Sequence, residues 1–256
     1  MLIKLNKNKL NLIIIYKINY IYKVYMVYFK DFPEFRPNLT PRQIFALGSF
    51  GGAYWRPIRS GITKKSYTNK HREFSWLRTI PKKKLTNVLC DISINNYNVR
   101  VGTSLKFWEK KGWMTAQDPY GWVQWYCRFY DGRRSDDDIR QIKRWVQLAG
   151  PKGRFRKWLI TLIHNKKGYW NDTIISPKIR QTLQHWGYRL TKKDYEQEIK
   201  ERNKKKINTK AKQTKAKQTK SKQTKAKQTK SKQTKDKQTK SKPVSYTHLR
   251  AHETSL

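Results

Sequence analysis

Residues 135–165 read SDDDIRQIKRWVQLAGPKGRFRKWLITLIHN, and their punctuation decides the class of fold. Ser135 followed by Asp136, Asp137 and Asp138 has the form of a capping box, with acids at the positive end of a coming helix. Ile139, Ile142, Trp145, Val146 and Ala149 then fall on one helical face, and Arg140, Lys143, Arg144 and Gln147 on the other. Gly150-Pro151 stops that helix. A second begins near Arg154 and places Phe155, Trp158, Leu159, Leu162 and Ile163 at i, i+3, i+4, i+7 and i+8, an amphipathic stripe.

Similar signals flank this pair. Thr40-Pro41 opens a short helix that Gly48 closes. Thr103 or Ser104 caps another through Lys111, ended by Gly112, and Asp118-Pro119 starts a third through Tyr130, with Gly132 after it. Ser176-Pro177 caps a helix with Ile179, Leu183 and Trp186 inward and Gly187 as its stop, and Thr191 with Asp194 begins one more. Between residues 58 and 101 the β-branched stretches 88–94 and 97–101 suit short strands. The expected fold is mainly α: a compact multi-helix domain, with room for a small β element in 58–101, followed by a disordered tail.

Composition sets the boundaries. All ten tryptophans lie between Trp55 and Trp186, and after Ile207 no residue larger than alanine is apolar until Pro243 and Val244. A core therefore belongs to residues 26–202, while residues 203–243 have nothing to bury and cannot offset the entropy of ordering. Those tail residues are built on six copies of K-[A/S/D]-K-Q-T over 210–239, a self-repelling lysine polyelectrolyte. It reads either as a phosphate-gripping or nuclear-import tail or as tolerated low-complexity drift. Residues 1–25 contain a short apolar run broken by Lys17, Asn19 and Lys23, too interrupted for the roughly 20 apolar residues of a membrane span. They read best as leader preceding a start at Met26, with an ordered extension as the alternative, and a membrane partner is not expected.

The net charge is +42. Residues 1–25 supply five lysines and no acid, residues 203–243 supply seventeen lysines against Asp236, and Arg250 offsets Glu253 beyond them, so residues 26–202 retain +21. A domain this positive seeks polyanions, nucleic acid (DNA or RNA) first. Lysine, asparagine, isoleucine and tyrosine also share AT-rich codons, which contributes to the count. Two cysteines, Cys90 and Cys127, make neither a disulfide framework nor a zinc set and suit a reducing, intracellular compartment, nuclear or cytoplasmic.

Three features invite chemistry. Asp131, Asp136, Asp137 and Asp138 form an acidic cluster of the kind that binds a divalent metal in nucleases, although helix capping accounts for most of it. Cys127 with His164 or His185 resembles a nucleophile and base, but a cysteine beside the aromatic stripe of WVQWYCRFY (122–130) is ordinary packing filler. The basic cluster Arg133, Arg134, Arg140, Lys143, Arg144, Lys152, Arg154, Arg156 and Lys157, around the turn 150–153, is the candidate nucleic-acid-binding site; glycines at a helix start beside Lys152 and Arg154 would suit a phosphate. No dinucleotide fingerprint, P-loop, zinc spacing or standard DNA- or RNA-reading motif is present. The reading is a non-enzymatic, nucleic-acid-associated domain making sequence-nonspecific backbone contacts, with no catalytic residue, metal or cofactor assigned and no small-molecule ligand evident. A metal-dependent enzyme acting on nucleic acid, or a protein-interaction module, is the alternative.

The stretches PEFRPNLTPRQIFALGSFGGAYWRPI (33–58), VGTSLKFWEKKGWMTAQDPYGWVQWYCRFYDGRRSDDDIRQIKRW (101–145), AGPKGRF (149–155) and SPKIRQTLQHWGYRLT (176–191) resemble a family of tryptophan-rich basic proteins from algae, fungi, other protists and large DNA viruses. The resemblance covers roughly residues 26–195; the family has no assigned activity, so it implies no functional residues. Residues 244–254, VSYTHLRAHET, resemble one translated frame of the transposon mosaic-end adapter used in sequencing libraries. His248 and His252, four apart, are therefore not read as a metal pair.

Overall fold

A computed structural model describes residues 27–238. The expected leader (1–25) and the adapter-like residues 244–256 lie outside the described residues. The chain divides into two units, residues 1–197 and 198–256.

The first unit is mainly helical, as its capping signals predict. Helix α1 (Pro41–Ala46) starts in a complete capping box: Gln43 N–H donates to Thr40 Oγ1 at 3.2 Å and Thr40 N–H to Gln43 Oε1 at 2.8 Å. It is followed by α2 (Leu105–Lys110), α3 (Trp122–Tyr130), α4 (Asp138–Leu148), α5 (Arg154–Asn165), α6 (Pro177–His185) and α7, which begins at Lys192. Ser104 caps α2 by accepting from Phe107 N–H at 3.3 Å, and Thr191 accepts from Asp194 N–H at 3.1 Å at the start of α7.

Several expectations need correction. The β element exists within 58–101, but it is β1 (Ile58–Arg59) paired antiparallel with β2 (Ser66–Tyr67), Ile58 opposite Tyr67 and Arg59 opposite Ser66. The β-branched residues 88–94 carry only the 3-10 turn Ile92–Ile94, with Val88 and Leu89 exposed, since local β propensity forms nothing without a partner strand. Asp118 does not cap α3. Its carboxylate is buried against two arginines, and the helix begins only after Gly121 N–H closes a turn on Asp118 O at 2.8 Å. Ser176 opens α6 with left-handed φ of 55° and makes no capping bond.

Helix faces shift as well. On α4, Ile139 is 60% exposed while Gln141 is buried beside Ile142 and Trp145. On α5, Trp158 is 54% exposed and Ile160 is buried with Leu159 and Ile163. Each buried face is rotated from the sequence reading, because the position of the neighbouring helices decides which edge of a wide apolar stripe is covered.

The core is aromatic. Phe35 sits among Trp125, Tyr126, Phe129 and Trp145 at centroid distances of 5.2–5.6 Å, mostly edge-to-face. Polar edges of these rings are satisfied internally: Trp145 Nε1 donates to Trp186 O (2.8 Å), Tyr126 Oη to Leu39 O (2.9 Å) and Trp125 Nε1 to Asp138 Oδ1 (2.8 Å). Asn38 and Arg189 exchange two hydrogen bonds of 2.7 Å, tying the segment before α1 to the strand of chain after α6.

Helix α7 spans Lys192–Gln238. In the second unit Arg202 pairs with Glu198 at 2.8 Å, and Ile207 is exposed. No described side chain of residues 203–214 is buried. The repeats are helical in secondary structure up to Gln238, none of their described side chains is buried, and lysines three apart in sequence disfavour the helix. Among the described residues no helix is long and apolar enough to cross a membrane.

Candidate nucleic-acid interface

Eight of the nine basic residues expected to form one patch separate into two groups, and Arg144 stands apart. Arg133, Arg134, Arg140 and Arg156 are held in ion pairs. Arg133 and Arg128 together clamp the buried Asp118 carboxylate, with Nη1 of each 3.0 Å from Oδ1. Burial raises the pKa of Asp118, and the two guanidiniums pull it the other way. Arg134 pairs with Asp31 and lies over the Phe129 ring at 3.9 Å. Arg140 pairs with Asp137, and Arg156 with Asp194 at 2.7 Å beneath the Tyr188 ring. These four act as structural cations. Lys143, Lys152 and Arg154 are exposed, and none of them meets a carboxylate among the described residues; Lys157 is partly exposed. Arg144 belongs to neither group, as described below.

The turn 150–153 does not form the expected phosphate cradle. Gly153 N–H is used by Gly150 O at 2.8 Å, and Gly150 N–H by Trp145 O at 3.2 Å. A Cβ on Gly150 would lie 2.6 Å from Val146 O, and one on Gly153 2.6 Å from Leu148 O. The glycines are there so that α5 can turn back closely onto α4. The amides of Arg154 onward begin α5 without a side-chain cap.

Arg144 points elsewhere, into a cavity of about 520 Å³ that sequence reasoning did not anticipate. Its floor is formed by buried Tyr54, Met114, Tyr120, Trp122, Val123 and His185. Exposed Thr103, Phe107, Trp113, Gln147 and Arg154 make the rim, and Phe50, Trp108, Phe155 and Trp186 complete the wall. The guanidinium of Arg144 stands 5.6 Å from the Trp113 ring centroid and 5.4 Å from that of Trp186, and that of Arg154 lies 5.1 Å from Phe155. Arg144 donates to Gln141 Oε1 (2.9 Å) and Trp113 O (3.3 Å) but pairs with no carboxylate among the described residues. Burial, reinforced by Arg140, lowers its pKa to about 10, so it stays charged at neutral pH. No Asp or Glu lines the cavity.

The remaining polar groups of the wall are mostly donors. Trp122 Nε1 is buried and has no acceptor. His185 Nε2 receives Phe50 N–H at 3.1 Å and Gln181 Nε2–H at 3.0 Å, so the ring proton resides on Nδ1. Burial holds the His185 pKa down to about 3 and the imidazole neutral. Tyr54 and Tyr120 hydroxyls are already committed, donating to Tyr120 O and Arg56 O at 2.8 Å. Scattered aromatic residues from α2, α3, α5, α6 and three loops meet here, which no local periodicity could reveal; a surplus of tryptophan beyond the helix stripes was the available signal.

The acidic cluster disperses. Asp131 accepts from Trp76 Nε1 (3.0 Å) and Asp136 from Gln117 (2.9 Å), while Asp137 holds Arg140. Asp138 takes Trp125 Nε1, Ser135 N–H (2.9 Å) and the Ser135 hydroxyl (2.8 Å). Half of the expected capping box is therefore formed, the carboxylate reaching back to Ser135, while the Ser135 hydroxyl is spent on that carboxylate instead of an amide. Among the described residues no group of three metal-type ligands converges. Cys127 is fully buried, and burial pushes its thiol well above the ordinary range, so its geometry is that of packing, not nucleophilic attack. Both cysteines are free thiols.

The chain matches no family model, no curated protein and no solved structure.

Proposed function

We propose that this protein is a non-enzymatic, nucleic-acid-associated basic domain that contacts phosphate backbones without reading sequence. The observation that carries the proposal is the charge balance around the rim of the aromatic cavity. Residues 26–202 hold a net +21, Arg144 and Arg154 line the cavity, and Lys143 and Lys152 are exposed nearby in sequence, none of the four with a carboxylate partner among the described residues. Backbone binding of this kind is driven by counterion release and needs cations that internal acids do not already neutralise. The metal-dependent alternative loses its footing because Asp131, Asp136, Asp137 and Asp138 serve four different structural partners. An intracellular site of action suits the two free thiols, and the lysine repeats add a second, non-specific source of phosphate affinity.

The test is binding of a tailless chain ending at Arg202 to duplex and single-stranded polymer as salt is raised from about 50 to 200 mM. Affinity should fall steeply, and Lys143→Gln with Lys152→Gln should reduce the salt slope by about one per lost duplex contact. Absence of binding at the low-salt end would overturn the reading.

A further inference from the structure

We infer that the aromatic cavity receives an unstacked base of a single-stranded nucleic acid, with the adjoining phosphate at Arg144 and Arg154. This inference deepens the proposed function and rests on it. Size comes first: about 520 Å³ falls within the range of small-ligand sites and is wide enough for one base and its sugar. The walls supply flat faces from three separate elements, Trp113 before α3, Phe155 on α5 and Trp186 after α6. Bases taken out of a helix are characteristically held between such faces.

Charge then selects among ligands that aromatic rings could hold. A quaternary ammonium or methylated lysine would also suit aromatic walls, but two guanidiniums and no carboxylate oppose any cation. Arg144 is the decisive group. It is desolvated by the rings around it and lacks an acid, and an entering phosphate would supply the missing counter-charge. A planar guanidinium flanked by Trp113 and Trp186 is also pre-oriented for a bidentate contact with phosphate oxygens.

The polar groups deeper in the cavity agree with an acceptor-bearing edge. Trp122, whose buried indole N–H has no acceptor, and His185, whose tautomer leaves its ring proton on Nδ1, both line the cavity. Every base presents carbonyl oxygens or ring nitrogens to donors so placed, which makes the site tolerant of sequence. A duplex keeps its bases stacked and paired and presents only backbone, so the cavity distinguishes single strands from duplex.

The experiment uses the full chain and compares an oligothymidylate of about eight nucleotides with a blunt duplex of equal length, read by fluorescence anisotropy and by quenching of the intrinsic tryptophan emission. The wild-type protein should show quenching with the single strand alone. Trp113→Ala and Phe107→Ala, both at exposed rim positions, should each weaken single-strand binding by about ten-fold while leaving duplex binding within about two-fold. Arg144→Gln should weaken it similarly, and Arg144→Lys should restore only part. The lysine tail is common to all variants, so changes in the single-strand to duplex ratio report the cavity. If the three rim and wall variants leave that ratio unchanged while both polymers still bind, the cavity inference is overturned and the backbone reading survives. If neither probe binds at low salt, both fall.

Discussion

The backbone N–H of Phe50 donates to His185 Nε2 at 3.1 Å while the two rings stack with centroids 3.9 Å apart and planes 21° from parallel. This double contact joins the loop after α1 to the last turn of α6 and forms one wall of the aromatic cavity. It holds Phe50 at φ 64°, a left-handed conformation that a bulky side chain adopts only under constraint from its surroundings. Burial holds His185 neutral, and the two donors converge on its unprotonated ring nitrogen.

The His185 contact makes stability depend on pH. The folded imidazole stays neutral down to about pH 3, whereas in the unfolded chain it takes a proton near its ordinary 6.5. Between those values the unfolded state binds the extra proton, so stability rises with pH across the window and is lost on acidification, by up to about 1.4 kcal/mol per pH unit for this one group. The discriminating interval is pH 6.5 to about 5, above the carboxylate range. Denaturant unfolding across it should show a positive slope that His185→Gln flattens; an equal slope in the variant would remove His185 as its cause.

Strain at Phe50 should reverse the usual order of two substitutions. Phe50→Ala loses the ring stack and keeps the left-handed penalty, whereas Phe50→Gly loses the stack and the penalty together. The glycine variant should be the more stable of the two by about 1 kcal/mol, measured as the shift in denaturant midpoint at constant m. Glycine in a relaxed position would be the less stable one.

Asp138 and Asp136, adjacent acids of one run, should separate sharply. Asp138→Ala strands the Trp125 indole and the Ser135 amide inside the protein and should cost about 2–4 kcal/mol. Asp136 is exposed and loses one bond to Gln117, so Asp136→Ala should cost less than about 1 kcal/mol. Comparable losses at both positions would indicate a shared role, such as a common ligand, that this geometry does not contain.

The split among the basic residues predicts a double dissociation. Arg133→Gln leaves buried Asp118 with Arg128 alone and should lower stability by about 1–3 kcal/mol, with little effect on polymer binding by the folded protein. Lys152→Gln should do the opposite, lowering affinity at low salt with stability unchanged within about 0.5 kcal/mol. Thermal unfolding and salt titration of the same preparations check both.

The sequence by itself determined where several of the helices begin and end and which segment could hold a core. Thr40-Pro41, Ser104, Gly48, Gly112 and Gly187 act through bonds and dihedral preferences within a few residues, so their effects are readable locally. Charge and tryptophan content likewise marked residues 26–202 as the basic, aromatic part, because composition is additive along the chain. Tertiary structure alone decided which cations are neutralised, since Arg133 depends on Asp118, Arg134 on Asp31 and Arg156 on Asp194, partners supplied from distant segments or other faces of the fold. It also decided that Ile139 faces solvent and that Arg144 faces a cavity, because the rotation of a helix is set by what packs against it. The cavity itself is assembled from rings between Phe50 and Trp186, and rings so far apart in sequence have no spacing to read until the chain brings them together.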